Sequence, residues 1–208
     1  MRPPRMRVAL FGRSLAGFTL ANAMERAGHE VQMLSDPAEL ASFEALIIAV
    51  GDARLEATVE LLEPHVHHGL IVFHTCLSRG VQVLDPLETR GCVVAALAPF
   101  ALMRWAVTTL DELGETVVEL NITEFRGEAV ALSDAERPSF AARAYYAEML
   151  RRLHISAAVD ARFFPSAEEK PMVGEDMDTE EIIAAYRGAT DPGPVSYTHL
   201  RAHETDSY

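Results

Sequence analysis

The N-terminal half of the chain alternates short apolar runs with amphipathic stretches, and this alternation constrains the fold more than any other feature. The runs lie at Met6–Phe11, Glu30–Leu34, Ala45–Val50, Leu70–His74 and Cys92–Leu97. Helices are predicted between them: an alanine-rich one through about Arg26, one at Leu55–Glu63, which has the i, i+3, i+4 apolar spacing of a helix, and one at Val81–Thr89. Apolar strands separated by helices indicate a parallel sheet that is covered on both faces. With right-handed crossovers, the pattern predicts a doubly wound α/β domain with a mostly parallel sheet.

Beyond Pro99 the pattern is weaker. Strands are predicted at Thr116–Leu120, Glu128–Leu132 and Ile155–Val159, and a helix from about Arg137 to Leu153. We expect the α/β domain to span residues 6–162. Residues 163–193 are acidic, with a short helical candidate at Thr179–Tyr186, and are expected to be a linker or the start of a truncated second domain. Residues 194–208 resemble translated sequencing-adapter sequence, so we expect a non-native tail.

Charge and cysteine content narrow the function classes. The 208 residues include 31 acidic and 18 basic side chains, which gives a formal net charge of −13. Such a chain repels phosphate backbones and anionic lipid surfaces, so neither a nucleic-acid nor a membrane partner is expected. No apolar run approaches the roughly 18 residues that a membrane span needs. Two cysteines, Cys76 and Cys92, are too few for a disulfide framework, which favours a cytoplasmic location.

The strongest chemical signal is the turn Gly12-Arg13-Ser14-Leu15-Ala16-Gly17, which joins the first strand to the first helix. A dinucleotide-binding turn has glycine at three places: one for the tight turn, one for close approach of the pyrophosphate and one for helix packing. Here Gly12 and Gly17 occupy the first and third places, and Ser14 stands at the second. The Ser14 Cβ crowds the phosphate, although its hydroxyl can donate to one. The turn predicts a Rossmann-like domain, with or without a cofactor.

The end of the second strand bears on which dinucleotide would bind. An acidic residue there binds the ribose diol of NAD, whereas small polar and basic residues accommodate the 2′-phosphate of NADP. The deciding position is Ser35, which lacks a carboxylate, and Asp36 follows it. Asp36 would repel a 2′-phosphate, and Arg13 would attract one. This balance favours NAD slightly over NADP. FAD is less favoured than either, because its ribose also prefers an acidic partner at this position.

Residues 6–100 resemble the NAD(P)-binding domain of the 6-phosphogluconate dehydrogenase-like superfamily, in particular an oxidoreductase family related to pyrroline-5-carboxylate reductase. The segments that carry the resemblance are Val8–Gly17, Ala27–Val31, Leu46–Asp52 and Val72–Gly80. Members pair a Rossmann-like domain with a helical C-terminal domain. The resemblance implies a bacterial protein with NAD or NADP as cofactor and a small-molecule substrate. It implies a homodimer only if the helical domain is present.

Carried over by position, the resemblance also implies site residues. The residues that would bind the cofactor are Gly12, Arg13, Ser14, Leu15, Ala16, Gly17, Ser35, Val50, Gly51 and Thr75. His74, Thr75 and Cys76 would line the cleft near the nicotinamide. Gly51 stands where relatives often have proline. Two departures count against activity: Ala98 stands where relatives often have histidine, and the helical domain that normally completes the substrate pocket and the dimer is expected to be absent or cut off.

Histidine and cysteine side chains supply the remaining chemistry. His74 follows a strand at the edge where ligands bind, so it is the candidate acid–base residue. The alternative is a strand-end histidine that only holds backbone groups. Cys76 is expected to be a small buried thiol. His65, His67 and His68 form a cluster at a helix end, but no nearby cysteine or aspartate completes a metal site, so no metal is expected.

Two functions from different classes remain. The first is an NAD(P)-dependent oxidoreductase that transfers a hydride between nicotinamide and a small oxo or imino substrate. The second is a non-catalytic Rossmann-like module that binds a nucleotide or a partner through a degenerate phosphate loop. A methyltransferase is a third, weaker option, and it would bind S-adenosylmethionine instead.

Overall fold

The sheet of the domain has seven strands. The computed structural model of the protein describes residues 5–152, together with positions 185, 187 and 188. The strands are β1 (Arg7–Gly12), β2 (Glu30–Met33), β3 (Ala45–Ala49), β4 (Ile71–His74), β5 (Val93–Ala101), β6 (Arg104–Thr109) and β7 (Glu128–Ala131). They lie in the order β2-β1-β3-β4-β5-β6-β7. Strands β1 to β5 are parallel, β6 is antiparallel to β5, and β7 is parallel to β6. The predicted doubly wound, mostly parallel α/β fold is therefore confirmed.

Helices cover both faces of this sheet. They are α1 (Leu15–Ala27), α2 (Asp52–Leu62), α3 (Asp85–Glu88), α4 (Glu112–Phe125) and α5 (Arg137–Arg152). Short 3-10 helices occur at Pro37–Ser42, Glu63–His65 and Val81–Leu84. Among the residues described, no helix is both long enough and apolar enough to cross a bilayer.

Alternate side chains of the central strands form two separate cores. Ile48, Val72 and Val94 pack on the side of α2 and α3. Ile47 and Phe73 point to the opposite side, against α1 and α4. Both layers are fully or almost fully buried, because a parallel sheet between helices exposes neither face. A third cluster joins α5 to β5 and β6, where the rings of Phe100 and Phe140 meet edge to face at 4.9 Å between centroids.

One predicted strand is wrong. Thr116–Leu120 lies inside helix α4, not in a strand. The β-branched run there suggested a strand, but the helix buries Val118, Ile122 and Phe125 on the sheet at i, i+4 and i+7. Tertiary burial of this face outweighs the small difference in intrinsic propensity.

Strand β6 was not predicted. It follows β5 through a tight hairpin turn at Leu102 and Met103, and Met103 adopts the left-handed backbone conformation at φ 58°. No glycine or asparagine marks this turn, so the usual hairpin signal is missing from the sequence. The predicted strand Ile155–Val159, segment 163–193 apart from three positions, and tail 194–208 lie outside the described residues.

Candidate functional site

The candidate site is the crevice between the carboxyl ends of β1 and β3. The chain passes from β1 to β2 on one side and then to β3 on the other, so the strand order reverses beside β1. Gly12 at the end of β1 is paired with Ala49 at the end of β3. Ligands of open α/β sheets bind in the crevice at such a reversal.

The first and third glycines of the turn are needed for packing against β3. Gly12 has φ +99°, and a Cβ there would lie 2.1 Å from the Ala49 carbonyl oxygen. A Cβ on Gly17 would lie 2.1 Å from the Ala49 Cβ. Both distances are far shorter than a van der Waals contact, so any side chain larger than that of glycine would push α1 away from the sheet. The fold itself therefore requires both glycines, with or without a cofactor.

Ser14, at the second position, is the N-cap of α1. Its backbone is extended, and its Oγ accepts a hydrogen bond from the Gly17 N–H at 3.1 Å. Its own N–H donates to the Ala49 carbonyl at 2.9 Å. The backbone N–H groups of Leu15 and Ala16, in the first turn, have no acceptor within the helix. The end of α1 therefore retains N–H donors and a partial positive charge toward the crevice.

Thr75 brings the loop after β4 to the same place. Its Oγ1 lies 3.4 Å from the Ser14 Oγ. Val50 follows β3 and is nearly buried, and Gly51 is the N-cap of α2 without a side-chain cap bond. The structure therefore brings the predicted residues Gly12, Ser14, Val50 and Thr75 together around one crevice.

Ser35 and Asp36 lie beyond the end of β2, on the other side of β1. Both side chains are exposed, as is that of Arg13 in the glycine turn. The Asp36 Oδ1 accepts the Ala38 N–H at 2.9 Å, so this carboxylate caps the following 3-10 helix.

His74 has a different environment from that of an exposed acid–base residue. It is fully buried, its Nε2 lies 3.0 Å from the Gly80 carbonyl oxygen, and its Nδ1 lies 3.3 Å from the Cys76 nitrogen. This pattern fits the neutral tautomer in which Nε2–H donates and Nδ1 accepts. Burial and the positive charges of Arg137 and Arg79 lower the pKa of His74 to about 3. The geometry favours a strand-end histidine that holds backbone groups over an acid–base residue.

Arg137 is the residue that the sequence did not reveal. It is the first residue of α5 and is fully buried. Its guanidinium donates to the Thr108 Oγ1 at 2.9 Å and to the Cys76 carbonyl at 3.0 Å. Burial lowers its pKa to about 10, so it stays charged at neutral pH. No local signal distinguishes it from the arginines that lie on helix surfaces.

The other candidate side chains serve the fold. The Cys76 thiol donates to the Val50 carbonyl at 3.2 Å, and the two cysteines form no disulfide. The ring nitrogens of His67 lie 3.1 Å and 3.0 Å from the carbonyl oxygens of His68 and Phe43. Within the described part of the chain, no group of three or more His, Cys, Asp or Glu side chains is arranged to hold a metal.

Comparison with known proteins agrees with the fold. A family model described as a Rossmann-like domain matches residues 33–99. No curated protein matches the chain significantly in sequence.

Three solved structures illustrate the likeness. Synechocystis arogenate dehydrogenase is 14% identical, with 97% of this chain and 90% of that chain covered at a TM-score of 0.61. Plasmodium falciparum pyrroline carboxylate reductase, solved with NADP bound, is 12% identical over 100% and 92% of the two chains, at a TM-score of 0.53. Mycobacterium tuberculosis 3-hydroxyisobutyrate dehydrogenase is 12% identical over 74% and 68%, at a TM-score of 0.54. At these identities the likeness establishes the Rossmann-like fold that the resemblance in sequence implied.

Proposed function

We propose that this protein binds a nicotinamide dinucleotide and is an NAD(P)-dependent oxidoreductase that acts on a small oxo or imino substrate. The observation that carries the proposal is the N-terminus of α1 at the reversal of strand order. There the N–H groups of Leu15 and Ala16 and the hydroxyls of Ser14 and Thr75 converge. Such a constellation suits a pyrophosphate. The similar solved dehydrogenases and reductases support the same function.

In this proposal the chain's own residues bind and orient the dinucleotide. The α1 N-terminus binds the pyrophosphate through backbone N–H groups, and the Ser14 hydroxyl, whose oxygen accepts the Gly17 N–H, donates its proton to a phosphate oxygen. Val50 and Gly51 flank the dinucleotide at the end of β3. The bound nicotinamide supplies the hydride chemistry, and the protein supplies position and electrostatics.

His74 enters the proposal as a positioning residue. An acid–base role needs a ring nitrogen within reach of the substrate and a pKa near the working pH. Both ring nitrogens already contact backbone atoms, and the pKa of about 3 keeps the ring neutral. We therefore propose that His74 shapes the loop after β4.

NAD is the dinucleotide that we propose. Asp36 is exposed beside Ser35, and the carboxylate that caps the next helix also repels a 2′-phosphate. Arg13 is exposed as well and opposes this effect. The preference is therefore small, on the order of a few-fold in Kd.

A cytoplasmic location fits the same function. Both cysteines are buried thiols, as is usual in a reducing compartment.

The second candidate, a non-catalytic module, is favoured by Ser14. This residue replaces the glycine that lets the pyrophosphate approach, and its hydroxyl already caps its own helix. A loop that is capped from within needs no ligand to satisfy the Gly17 N–H.

Calorimetric titration of the full chain with NAD, NADH, NADP and NADPH tests the first proposal. We expect saturable binding with micromolar Kd and a rise in Tm at saturation. The Ser14→Ala variant removes the donor but keeps the Cβ, so it should bind about three-fold to ten-fold more weakly. Ser14→Gly removes both the hydroxyl donor and the Cβ that crowds the phosphate. Comparison of the two variants therefore separates the effect of the donor from that of the Cβ.

The possible outcomes are distinct. Absence of heat and of any thermal shift with all four dinucleotides contradicts the oxidoreductase. Tighter binding by Ser14→Gly than by the wild type supports the degenerate module. Binding of S-adenosylmethionine in place of a dinucleotide points to the methyltransferase.

A further inference from the structure

The loop that follows β4, residues 75–82, is held by side chains on both of its sides. On the inner side His74 bridges the loop, since its ring contacts the Cys76 nitrogen and the Gly80 carbonyl oxygen. This loop carries Thr75 to within 3.4 Å of Ser14 at the candidate phosphate site. Whatever holds the loop therefore also positions Thr75.

On the outer side the loop is bonded to Asp134, which lies just before α5, and to Arg137, the first residue of α5. The Asp134 carboxylate accepts the N–H groups of Val81 and Gln82 at 2.8 Å and 3.1 Å. Gly80 allows this approach, because a Cβ there would lie 2.2 Å from the Asp134 carboxyl carbon. Arg137 adds the third bond, from its guanidinium to the Cys76 carbonyl.

The Arg137 guanidinium is an unusual group to bury for structure alone. It is fully buried, its Nε has no hydrogen-bond partner, and no described carboxylate lies within ion-pair distance of it, although the charges of Asp134 and Asp52 favour its protonated form. A buried charge that is incompletely paired is costly, and an apolar side chain of similar volume often stabilises a protein more. Its two good contacts fix the Cys76 peptide against Thr108 of β6.

We propose that Arg137 is a positioning residue for dinucleotide binding. It fixes the loop at Cys76 and thereby couples α5 to Thr75 in the phosphate site. The inference rests on the proposed function, because positioning matters for affinity only if a dinucleotide binds there. It assigns to α5 a role in binding that neither the glycine turn nor the strand pattern indicates.

Two measurements on the full chain test this inference. The first is the Kd for NADH, followed by titration calorimetry. The second is hydrogen exchange of the loop amides at 75–82 without ligand. Arg137→Met keeps the length of the side chain but removes its donors, so we expect faster exchange in the loop and a Kd raised about ten-fold. Arg137→Lys, which retains the charge and an ammonium group but not the planar guanidinium, should recover part of the affinity.

Arg104→Met is the matched control. Arg104 is also a buried arginine, 5% exposed, and its guanidinium pairs with Glu128 of β7 and lies over the Phe100 ring. Glu128 lies in β7 and Phe100 in β5, so neither contact is made with loop residues 75–82, and Phe100 touches the loop region only through the apolar cluster that includes Leu77. This variant should lose stability without changing loop exchange, and its Kd should stay within about two-fold of the wild type.

Thr108→Val serves if Arg137→Met does not fold. It removes the second acceptor of Arg137, together with the hydrogen bond that the Thr108 hydroxyl donates to the Leu132 carbonyl at 2.7 Å. The Arg137 guanidinium then keeps its bond to the Cys76 carbonyl but loses the one that anchors it to β6. This variant should therefore show the same loop effect in weaker form.

Failure of the inference is distinguishable from failure of the proposed function. If the wild type binds no dinucleotide, the proposed function fails, and hydrogen exchange still reports whether Arg137 holds the loop. Unchanged loop exchange in both Arg137→Met and Thr108→Val overturns the inference. So does an equal loss of affinity in Arg137→Met and Arg104→Met, because that result reports general destabilisation.

Discussion

At the scale of single residues, the glycine turn shows how a binding motif and a packing motif coincide. Gly12 and Gly17 are required by contact with Ala49, so their presence indicates the strand–turn–helix unit before it indicates a ligand. The residue that reports on a ligand is the one between them, Ser14. Its hydroxyl oxygen caps helix α1 by accepting the Gly17 N–H, and it also lies beside the Thr75 hydroxyl. The function of the site therefore depends on a position where the chain departs from the usual glycine pattern.

Gly17 offers a test of the packing argument. Both Gly17 and Gly114 are the third residue after an N-cap, and each donates its N–H to the N-cap side chain. Alanine gains about 1 kcal/mol over glycine in a helix by propensity. At Gly17 the clash with Ala49 Cβ outweighs this gain, since overpacking of a core costs about 1–3 kcal/mol.

We therefore expect Gly17→Ala to lower the free energy of unfolding by about 1–2 kcal/mol without ligand. Gly114→Ala, whose Cβ would meet its nearest atoms at 3.3 Å and 3.4 Å, should be close to neutral. Urea denaturation of both variants makes the comparison. Equal stabilities of the two variants would show that the turn yields easily, and that Gly17 is not required by packing.

At the scale of elements, helix α4 depends on its cap. The Asp111 Oδ1 accepts the Gly114 N–H at 2.7 Å, and the helix ends at Arg126 in the left-handed conformation. The cap lies just before Leu113, which is exposed, so the first turn receives little support from the core. The side-chain bond therefore contributes much of what fixes the start of the helix.

Replacement of Asp111 by alanine should lower the free energy of unfolding by about 1 kcal/mol. Asp111→Asn keeps an acceptor oxygen and is the control, with a loss of only a few tenths of a kcal/mol. Chemical denaturation measures both values, and hydrogen exchange of the first turn of α4 locates the effect. A loss that is the same for both variants would mean that the negative charge near the helix N-terminus, rather than the hydrogen bond, stabilises α4.

The elements also differ in how well the sequence predicts them. Strands β1 to β5 were predicted within a few residues. Apolar runs between helical segments fit little else than the buried strands of a parallel sheet, and only the edge strand β2 is partly polar and exposed. Strand β6 and helix α4 were missed, since the turn at Met103 lacks a turn residue and the Thr116–Leu120 run is rich in β-branched residues. Arg137 was invisible for a separate reason. Its burial arises from the packing of α5 on β5 and β6, a contact between segments distant in sequence.

At the scale of the whole molecule, the carboxyl edge of the sheet combines a buried neutral imidazole with a buried cation. Arg137 lies close enough to His74 that its charge opposes protonation of the ring, as does that of Arg79. The Gly80 carbonyl acts in the opposite direction but does not compensate for burial. The loop of residues 75–82 therefore depends on a histidine that must stay neutral, and this makes the stability of the entire domain sensitive to acid.

The sign of this dependence follows from linkage. The pKa of His74 falls from the ordinary value of 6.5 to about 3 on folding, so between these values the unfolded chain binds a proton that the folded chain does not. The stabilisation is fully present above pH 6.5 and is lost as the pH falls toward 3. The loss amounts to about 1.4 kcal/mol per pH unit within that window.

Replacement of His74 by glutamine removes this titration. We expect His74→Gln to be less stable than the wild type at pH 7, with a difference that shrinks by about 2 kcal/mol between pH 6.5 and pH 5. Urea denaturation at several pH values gives the free energy of unfolding of each protein as a function of pH. The carboxylates contribute equally to both curves, so their titration drops out of the difference between the two. The exposed residue His65 provides the control, because His65→Gln should retain the pH dependence of the wild type. A difference between His74→Gln and the wild type that stays constant with pH would show that burial does not hold the ring neutral.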